Sequence, residues 1–291
     1  MGNVVTGHTK LLALFGTPLE HSLSPCMYNL SFERMGVDMI YVCLDTDKEG
    51  TGRAFEMVRA FHMVGGNVTM PCKIEAVKYM DELTPSAELI GAVNCFVNRD
   101  GKLIGHNTDG SGFLRGITEK GVEIVGKKMV ITGGGGAAKA IQCQAALNGM
   151  AEISIFVRKN AAFPDRVKVA EKIMERCPSC RVNVYDIDDT AKMIEEMHSA
   201  DLFVNATPVG MVPMEDQTVV KDPKAFHPGL AVCDIVYNPV ETRLLKEAAA
   251  AGCTCINGKG MLLWQGEEAF KMFTGLDMPV EEVRAAYFSE A

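Results

Sequence analysis

The chain has 291 residues, a length that suggests two domains of ordinary size. Hydrophobic residues make up 47% of it, enough to bury a large core, so the composition excludes a disordered chain. The formal net charge is -8 with acidic and basic residues interspersed, which argues against a nucleic-acid-binding surface.

The first block of the chain mixes predicted strands and helices. The predicted strands are KLLALFG, MIYVCLD and GNVTM. Helices are predicted for SLSPCMYNLSFERMG, where Ser24 can cap a helix that begins at Pro25, for GTGRAFEMVRAFHM, and from Lys73 through Leu83. The stretch GAVNCFVNRDGKLIGHNTD predicts a hairpin that turns at Asp100 and Gly101.

A second block begins near Gly112, and in it strands alternate with helices. The predicted strands are KKMVITG, EISIFVR, RVNVYDI, DLFVNAT and LAVCDIV, separated by helical stretches such as AAKAIQCQAALNG and FPDRVKVAEKIMERC. This alternation predicts a parallel sheet that is covered on both faces. The last two helical stretches, 261–273 and 279–288, precede no further strand, so we expect them to fold back on the first block.

A glycine-rich loop lies between the first strand and the first helix of the second block. In VITGGGGAAKA, Gly133, Gly135 and Ala138 have the spacing G-x-G-x-x-A of a dinucleotide site. The first glycine permits the tight turn, the second lets a pyrophosphate approach the backbone, and the helix N-terminus supplies N–H donors. The simpler interpretation is a generic glycine turn, but the surrounding strands and helix favour cofactor binding through Gly133, Gly134, Gly135, Gly136 and Ala137.

The end of the next strand bears on the choice of cofactor. An NAD site usually places an acid there, to hold the ribose 2′-hydroxyl. This chain has Val157, Arg158, Lys159 and Asn160 instead. Two cations suit a 2′-phosphate, so NADP is favoured over NAD, although both cations can also be merely solvated.

The predicted fold class is therefore α/β with two domains. Residues 1–111, joined by C-terminal helices over 265–291, form an N-terminal α/β substrate domain. Residues 112–264 form a Rossmann-type domain with a doubly wound parallel sheet.

A lysine and an aspartate at element edges of the first block are candidate catalytic residues. Lys73 ends the stretch GGNVTMPCK, and Asp109 lies in GHNTDGSG just before a helix. Taken alone, each has a simpler interpretation, a solvated lysine and a helix N-cap. Taken together, we expect both to line a cleft against the second block, where a lysine paired with a carboxylate can accept or orient a hydroxyl proton during hydride transfer.

The ten cysteines are interpreted as reduced thiols of a cytoplasmic protein. No apolar run is long enough to span a bilayer, and the N-terminus lacks the apolar core of a signal peptide. The pair CPSC at Cys177 and Cys180 has neither a second pair nor nearby histidines, so a zinc site is not expected, while a redox role stays an alternative. No metal is predicted.

Seven motifs, in order along nearly the whole chain, resemble the shikimate dehydrogenase family. They are SLSP (22–25), NVTMPCK (67–73), GAVN (91–94), NTDG (107–110), GGGGA (133–137), NATPVGM (205–211) and GKGMLLWQG (258–266). With VYNP (236–239), the last motif is most similar to the quinate/shikimate dehydrogenase branch. The resemblance implies a substrate domain and a nucleotide domain with the site between them.

The resemblance also implies an activity and the residues that carry it. The activity is the reversible oxidation of shikimate to 3-dehydroshikimate by NADP or NAD, with quinate as a further substrate, in aromatic amino acid biosynthesis. Lys73 and Asp109 match the catalytic pair. The matched substrate-binding positions are Ser22, Ser24, Thr69, Asn94 and Gln265, with Tyr237 near the carboxylate; Val236 and Gly258 match cofactor-binding positions.

One departure from the family pattern leaves the choice between NADP and NAD open. Members that use NADP usually carry NRT after the second strand, and the dual-specificity branch carries an acid a few positions on, whereas this chain has VRKN. Two other functions stay open as well: a dehydrogenase of another cyclic hydroxy acid, and a nucleotide-binding regulatory module. The expected partners are a small-molecule substrate and a second copy in a homodimer, with no nucleic acid and no membrane.

Overall fold

The structure is a computed structural model that describes residues 4–288, and the chain separates into two compact units. Residues 4–112 and 263–288 form the first unit, and residues 113–262 form the second. The outermost residues of the predicted domains, 1–3 and 289–291, lie outside the described residues.

Strands and helices follow one another along both units. Those that begin in the first half of the chain are β1 (Lys10–Gly16), α1 (Ser24–Met35), β2 (Met39–Asp45), α2 (Thr51–Ala60), β3 (Gly65–Val68), β4 (Glu82–Leu83), α3 (Pro85–Ile90), β5 (Cys95–Arg99), β6 (Lys102–His106), α4 (Asp109–Glu119), β7 (Lys128–Thr132) and α5 (Gly136–Leu147). The remainder are β8 (Glu152–Val157), α6 (Phe163–Arg176), β9 (Arg181–Asp186), α7 (Thr190–His198), β10 (Leu202–Asn205), β11 (Ala231–Asp234), α8 (Arg243–Ala250), β12 (Thr254–Ile256), α9 (Lys259–Thr274) and α10 (Val280–Tyr287).

The first unit is built on a mixed sheet with the strand order β2-β1-β3-β5-β6-β4. Strand β1 pairs parallel with β2 and β3, whereas β5 pairs antiparallel with both β3 and β6. The β5–β6 pair is the predicted hairpin, and Asp100 and Gly101 at its turn have φ of 54° and 88°. Phe15 of β1 and Phe96 of β5 pack with Phe55 of α2 in one buried apolar cluster.

Two glycines at the start of β3 allow its neighbours to come close. A Cβ at Gly66 would lie 2.1 Å from the carbonyl oxygen of Ala13, and a Cβ at Gly65 would lie 2.4 Å from that of Phe96. No larger residue fits between the backbones at these positions. The glycine pair therefore allows β3 to pair closely with β1 and β5, directly before the segment that leads to Lys73.

The second unit is built on a parallel sheet with the strand order β12-β11-β10-β7-β8-β9. All carboxyl ends of a parallel sheet lie at one edge, and the order reverses between β10 and β7. Ligands of such sheets bind in the crevice at that switch point. The predicted doubly wound sheet is thus confirmed, with its glycine loop at the switch point.

Two local predictions are wrong. Residues 71–74 form a turn and Glu75–Tyr79 a short 3₁₀-helix before β4, so there is no α-helix from 73 through 83. Helix α1 begins at Ser24 itself, after Leu23, and Ser24 does not cap it.

Within residues 4–288, the structure contains no helix that combines the length and the apolar character required to cross a bilayer.

Candidate active site

Lys73 lies in the turn that follows β3, and the turn is held by backbone contacts. The peptide N–H of Cys72 donates to the carbonyl oxygen of Thr69 at 2.9 Å, and the N–H of Val93 donates to that of Lys73, also at 2.9 Å. The second bond joins the turn to the segment that precedes β5. The backbone at Lys73 is therefore fixed both within its turn and by the segment that precedes β5.

The side chains of Lys73 and Asp109 form the predicted pair. The ammonium of Lys73 donates to Asp109 Oδ2, and the two atoms are 2.5 Å apart. The Lys73 side chain is 18% exposed and that of Asp109 7%. A short charged contact in a partly closed setting holds both groups in place and still leaves the ammonium accessible to a small molecule.

Asn94 is the centre of the hydrogen bonds around Asp109. Its Nδ2 donates to Asp109 Oδ1 at 2.8 Å and to Thr108 Oγ1 at 3.0 Å, and its Oδ1 accepts from the N–H of Thr108 at 2.8 Å. Gln265 Oε1 lies 3.4 Å from the same Nδ2, and Thr108 Oγ1 donates to the Gln265 carbonyl oxygen at 3.1 Å. The structure thus brings Asn94 and Gln265, both predicted as substrate-binding, to the predicted catalytic pair.

Two residues that were not predicted from the sequence, Asn67 and Tyr41, hold the backbone of Asn94 in place. Buried Asn67 donates from Nδ2 to the Asn94 carbonyl oxygen at 3.3 Å and accepts at Oδ1 from the Tyr41 hydroxyl at 2.9 Å. The signal was present in the sequence, because Asn67 is a polar side chain inside the otherwise apolar strand GGNV.

Three hydroxyl side chains of the predicted substrate set also belong to the first unit. Ser24 is buried at the start of α1, and its N–H donates to Ser22 Oγ at 3.3 Å, so Ser22 supplies the hydroxyl that meets the first N–H of this helix. Thr69 follows β3 directly, and its N–H donates to the carbonyl oxygen of Phe15 at 2.8 Å. Hydroxyls of this kind both donate and accept, as recognition of a polyhydroxy acid requires.

Tyr237 belongs to the second unit, three residues beyond the end of β11. Burial raises the pKa of its phenol above the ordinary value. Its role toward a substrate carboxylate stays a prediction.

The glycine loop after β7 has the geometry of a phosphate site. Gly133 has a φ of +113°, and a Cβ there would lie 2.5 Å from the carbonyl oxygen of Ala206, so only glycine fits. A Cβ at Gly135 would meet no heavy atom within 4 Å beyond its chain neighbours. No side chain caps helix α5, which begins at Gly136, so the N–H groups of its first turn, including that of Ala137, are available to an anion.

The end of β8 carries no acidic residue that could hold a ribose hydroxyl. Val157 is buried in the strand, whereas Arg158 and Lys159 are exposed. Asn160 Oδ1 accepts from the N–H of Ala162 at 3.0 Å. This bond stabilises the turn that leads into α6. The two cations remain candidates for a phosphate, and a role of Asn160 in cofactor binding stays a prediction.

Val236 and Gly258, predicted on the cofactor side, are in direct contact. The N–H of Gly258 donates to the carbonyl oxygen of Val236 at 3.1 Å, and a Cβ at Gly258 would lie 2.0 Å from the carbonyl oxygen of Ile235. The N–H of Val236 in turn donates to Asp234 Oδ1 at 3.1 Å. These contacts fix the segments that follow β11 and β12 at the same sheet edge as the glycine loop.

The cysteines form no alternative site. All ten are free thiols. Cys177 and Cys180 are both buried, and burial, followed by the charge of Cys177, raises the pKa of Cys180 to about 11. A thiol with a raised pKa is a poor nucleophile, so the redox alternative has no structural support. Within residues 4–288, no three His, Cys, Asp or Glu side chains are grouped so that they could hold a metal ion.

Two family models match the chain. The shikimate dehydrogenase substrate binding domain matches residues 14–96, and the shikimate 5′-dehydrogenase C-terminal domain matches residues 258–286. The matched ranges include Lys73 and Asn94 in the first model, and Gln265 in the second.

Relatives match over almost the full length. The chain is 44% identical to a shikimate dehydrogenase (NADP(+)) of Listeria monocytogenes over 284 residues, 98% of this chain and 97% of that protein. It is also 44% identical to a quinate/shikimate dehydrogenase of Escherichia coli over 280 residues, 96% and 97% of the two chains. A crystal structure of shikimate 5-dehydrogenase from Listeria monocytogenes in complex with shikimate and NAD superposes with a TM-score of 0.94 at 44% identity, covering 98% and 99% of the two chains.

Proposed function

Since this chain belongs to the shikimate dehydrogenase family, we infer that it interconverts shikimate and 3-dehydroshikimate with a nicotinamide dinucleotide, and that Lys73 and Asp109 form its catalytic pair. The observation that carries the second part is the 2.5 Å contact between Lys73 Nζ and Asp109 Oδ2. The contact joins two residues 36 positions apart. The backbone carbonyl of Lys73 accepts from the N–H of Val93, and Asp109 Oδ1 accepts from Asn94 Nδ2.

The pair can handle the proton that alcohol oxidation releases. When bound, the nicotinamide supplies the hydride acceptor for oxidation and the donor for reduction. In reduction, the Lys73 ammonium donates a proton to the oxygen on which negative charge develops; in oxidation, the neutral amine accepts the hydroxyl proton. Asp109 restricts where Nζ can lie, because its carboxylate is held on the other side by Asn94.

The side chains predicted to bind the substrate suit a polyhydroxy acid. Ser22, Ser24 and Thr69 offer hydroxyls, while Asn94 and Gln265 offer amides, so each ring hydroxyl can find both a donor and an acceptor. Quinate differs from shikimate in carrying one more ring hydroxyl and a saturated ring, and it presents the same chemistry to this set. We therefore propose activity with shikimate and, as a second substrate, with quinate.

The second unit supplies residues that fit the dinucleotide. Gly133 permits the turn after β7, Gly135 leaves open space, and the uncapped N-terminus of α5 offers N–H donors to a pyrophosphate. These features do not distinguish NAD from NADP.

We propose a preference for NADP, supported by the exposed Arg158 and Lys159 at the end of β8. A charge-assisted contact with a 2′-phosphate contributes about 1.5–3 kcal/mol, roughly tenfold to hundredfold in affinity. Steady-state kinetics with each cofactor tests this, and Arg158→Ala should then lose NADP affinity much more than NAD affinity. Equal loss of both, or a wild-type preference for NAD, would contradict the charge argument.

One assay separates the proposed enzyme from its alternatives. Absorbance of the reduced nicotinamide is followed with shikimate and quinate supplied separately. Turnover of either supports the dehydrogenase. Cofactor binding without turnover of either substrate would favour a regulatory module, or a dehydrogenase of another cyclic hydroxy acid.

We further propose that the protein is cytoplasmic and forms a homodimer. The ten free thiols are what a reducing compartment maintains, which supports the location. Cell fractionation and sedimentation equilibrium test the two statements.

A further inference from the structure

The consecutive glycines of the loop after β7 differ in what surrounds them. At Gly134, a side chain occupies the space that a methyl group would need: a Cβ would lie 2.5 Å from Nε of Arg166, 2.9 Å from its Cδ and 3.1 Å from its Cζ. At the adjacent Gly135, the corresponding space is open. The guanidinium of Arg166 therefore lies against the glycine loop, beside the position that is free for a ligand.

Arg166 reaches this loop from a different element. It lies in the first turn of α6, which follows β8, the strand next to β7 in the sheet. Its side chain is partly buried, and within residues 4–288 no carboxylate is within ion-pair distance of it. The adjacent Asp165 is instead 3.8 Å from Lys168.

A second cation lies at the same end of α5. Lys139 is in the first turn of that helix, is partly buried, and likewise has no ion-pair partner within the described residues. Burial first, and then the positive charge of Arg166, lower the pKa of Lys139. Two cations that repel each other next to a helix N-terminus would be stabilised by an anion placed near them.

We propose that Arg166 is a cofactor-binding residue that contacts the pyrophosphate of the dinucleotide across Gly134, an inference that rests on the proposed function. The pyrophosphate is the anion because it binds where a glycine loop enters its helix, and that is where the guanidinium lies. The 2′-phosphate is expected instead at Arg158 and Lys159, at the end of β8. Gly134 is glycine because a side chain there would displace the arginine.

The test measures binding directly, by titration of the full-length protein with NADPH, NADH and ADP-ribose. Arg166→Met keeps the apolar stem of the side chain and removes its charge, so it should weaken all three ligands by about tenfold to hundredfold. Arg166→Lys should retain much of the affinity. The matched control is Lys168→Met, on the same helix, whose side chain is 71% exposed; it should bind like wild type.

A second variant examines the contact with Gly134. Gly134→Ala should displace the guanidinium and weaken binding of all three ligands. In the Arg166→Met background the same change should have little further effect, because the group that it displaces is already gone. An equal loss in both backgrounds would mean that the new methyl group blocks the phosphate itself, and the explanation that Gly134 is glycine in order to make room for Arg166 would be refuted.

The outcomes separate this inference from the function on which it rests. Wild-type protein that binds none of the three ligands would overturn the proposed dinucleotide site. Wild-type binding that Arg166→Met leaves unchanged would reduce Arg166 to packing. A loss confined to NADPH would assign Arg166 to the 2′-phosphate and overturn the pyrophosphate contact.

Discussion

Replacing Lys73 tests the proposed catalytic pair most directly. In Lys73→Gln, the amide can still donate to Asp109 Oδ2, but it cannot transfer a proton. One acid/base group contributes about 10²–10⁴-fold to a rate, so kcat for shikimate oxidation should fall by roughly 100-fold or more. Loss of one charged hydrogen bond costs about 1.5–3 kcal/mol, less than the stability of an ordinary domain, and the Asn94 bond to Asp109 remains, so the variant should fold.

The assay follows the absorbance of reduced nicotinamide at saturating shikimate and cofactor, with cofactor affinity titrated separately. The glycine loop belongs to the second unit, so cofactor affinity should be unchanged. Lys78→Gln is the matched control: Lys78 is 67% exposed and pairs with Glu75 within its own 3₁₀-helix. A Lys73→Gln enzyme whose kcat is within about threefold of wild type would show that Lys73 is a solvated lysine with no part in proton transfer.

Further variants test the pocket and two buried carboxylates. Ser22→Ala and Ser24→Ala should raise KM for shikimate more than they change cofactor affinity; unchanged KM would remove both from the site. Burial raises the pKa of Glu196, but hydrogen bonds from Lys128, Lys192 and Ser154 lower it to about 2. The ionised Glu196 therefore stabilises the folded protein by about 2–3 kcal/mol, and this contribution should be lost as pH falls from about 4.5 to 2. Urea unfolding of Glu196→Gln should lack that dependence. Burial raises the pKa of Asp234 to about 6, although hydrogen bonds from Thr242, Val236 and Asn205 oppose this rise. Its contribution therefore has the opposite sign, and the free energy of unfolding should fall as pH rises from about 4 to 6. Asp234→Asn should flatten the dependence of that free energy on pH between those values.

The sequence predicted most of the elements because their signals are local. The strand KLLALFG matches β1 (Lys10–Gly16), and the hairpin turn at Asp100 and Gly101 follows from residues that tolerate positive φ. The helix expected over 73–83 is wrong because contacts distant in sequence override good helix formers. The N–H of Asp81 donates to Leu103 of β6 at 2.9 Å, which draws this segment alongside the sheet.

The candidate site was predictable residue by residue, but not as a set of contacts. Motifs marked Lys73 and Asp109, yet only the fold shows that their side chains meet. Asn67 belongs to the same motif as Lys73, and the motif alone gives it no role, although a buried amide in a strand must find partners. Arg166 carried no signal at all, since its position in α6 gives no indication that its side chain returns to the loop after β7.

The position of Asp109 depends on groups that can be satisfied in only one arrangement. Its two carboxylate oxygens accept from different donors, Lys73 Nζ and Asn94 Nδ2. The Asn94 amide cannot turn over, because its Oδ1 accepts from the N–H of Thr108 and a reversed amide would place a donor against that donor. The Asn94 backbone is fixed in turn by Asn67, whose Oδ1 is held by a tyrosine hydroxyl. Each of these buried polar groups is costly to leave unpaired, so the cost of moving the carboxylate includes breaking the whole series. That cost holds Asp109 in the position that the proposed proton transfer by Lys73 requires.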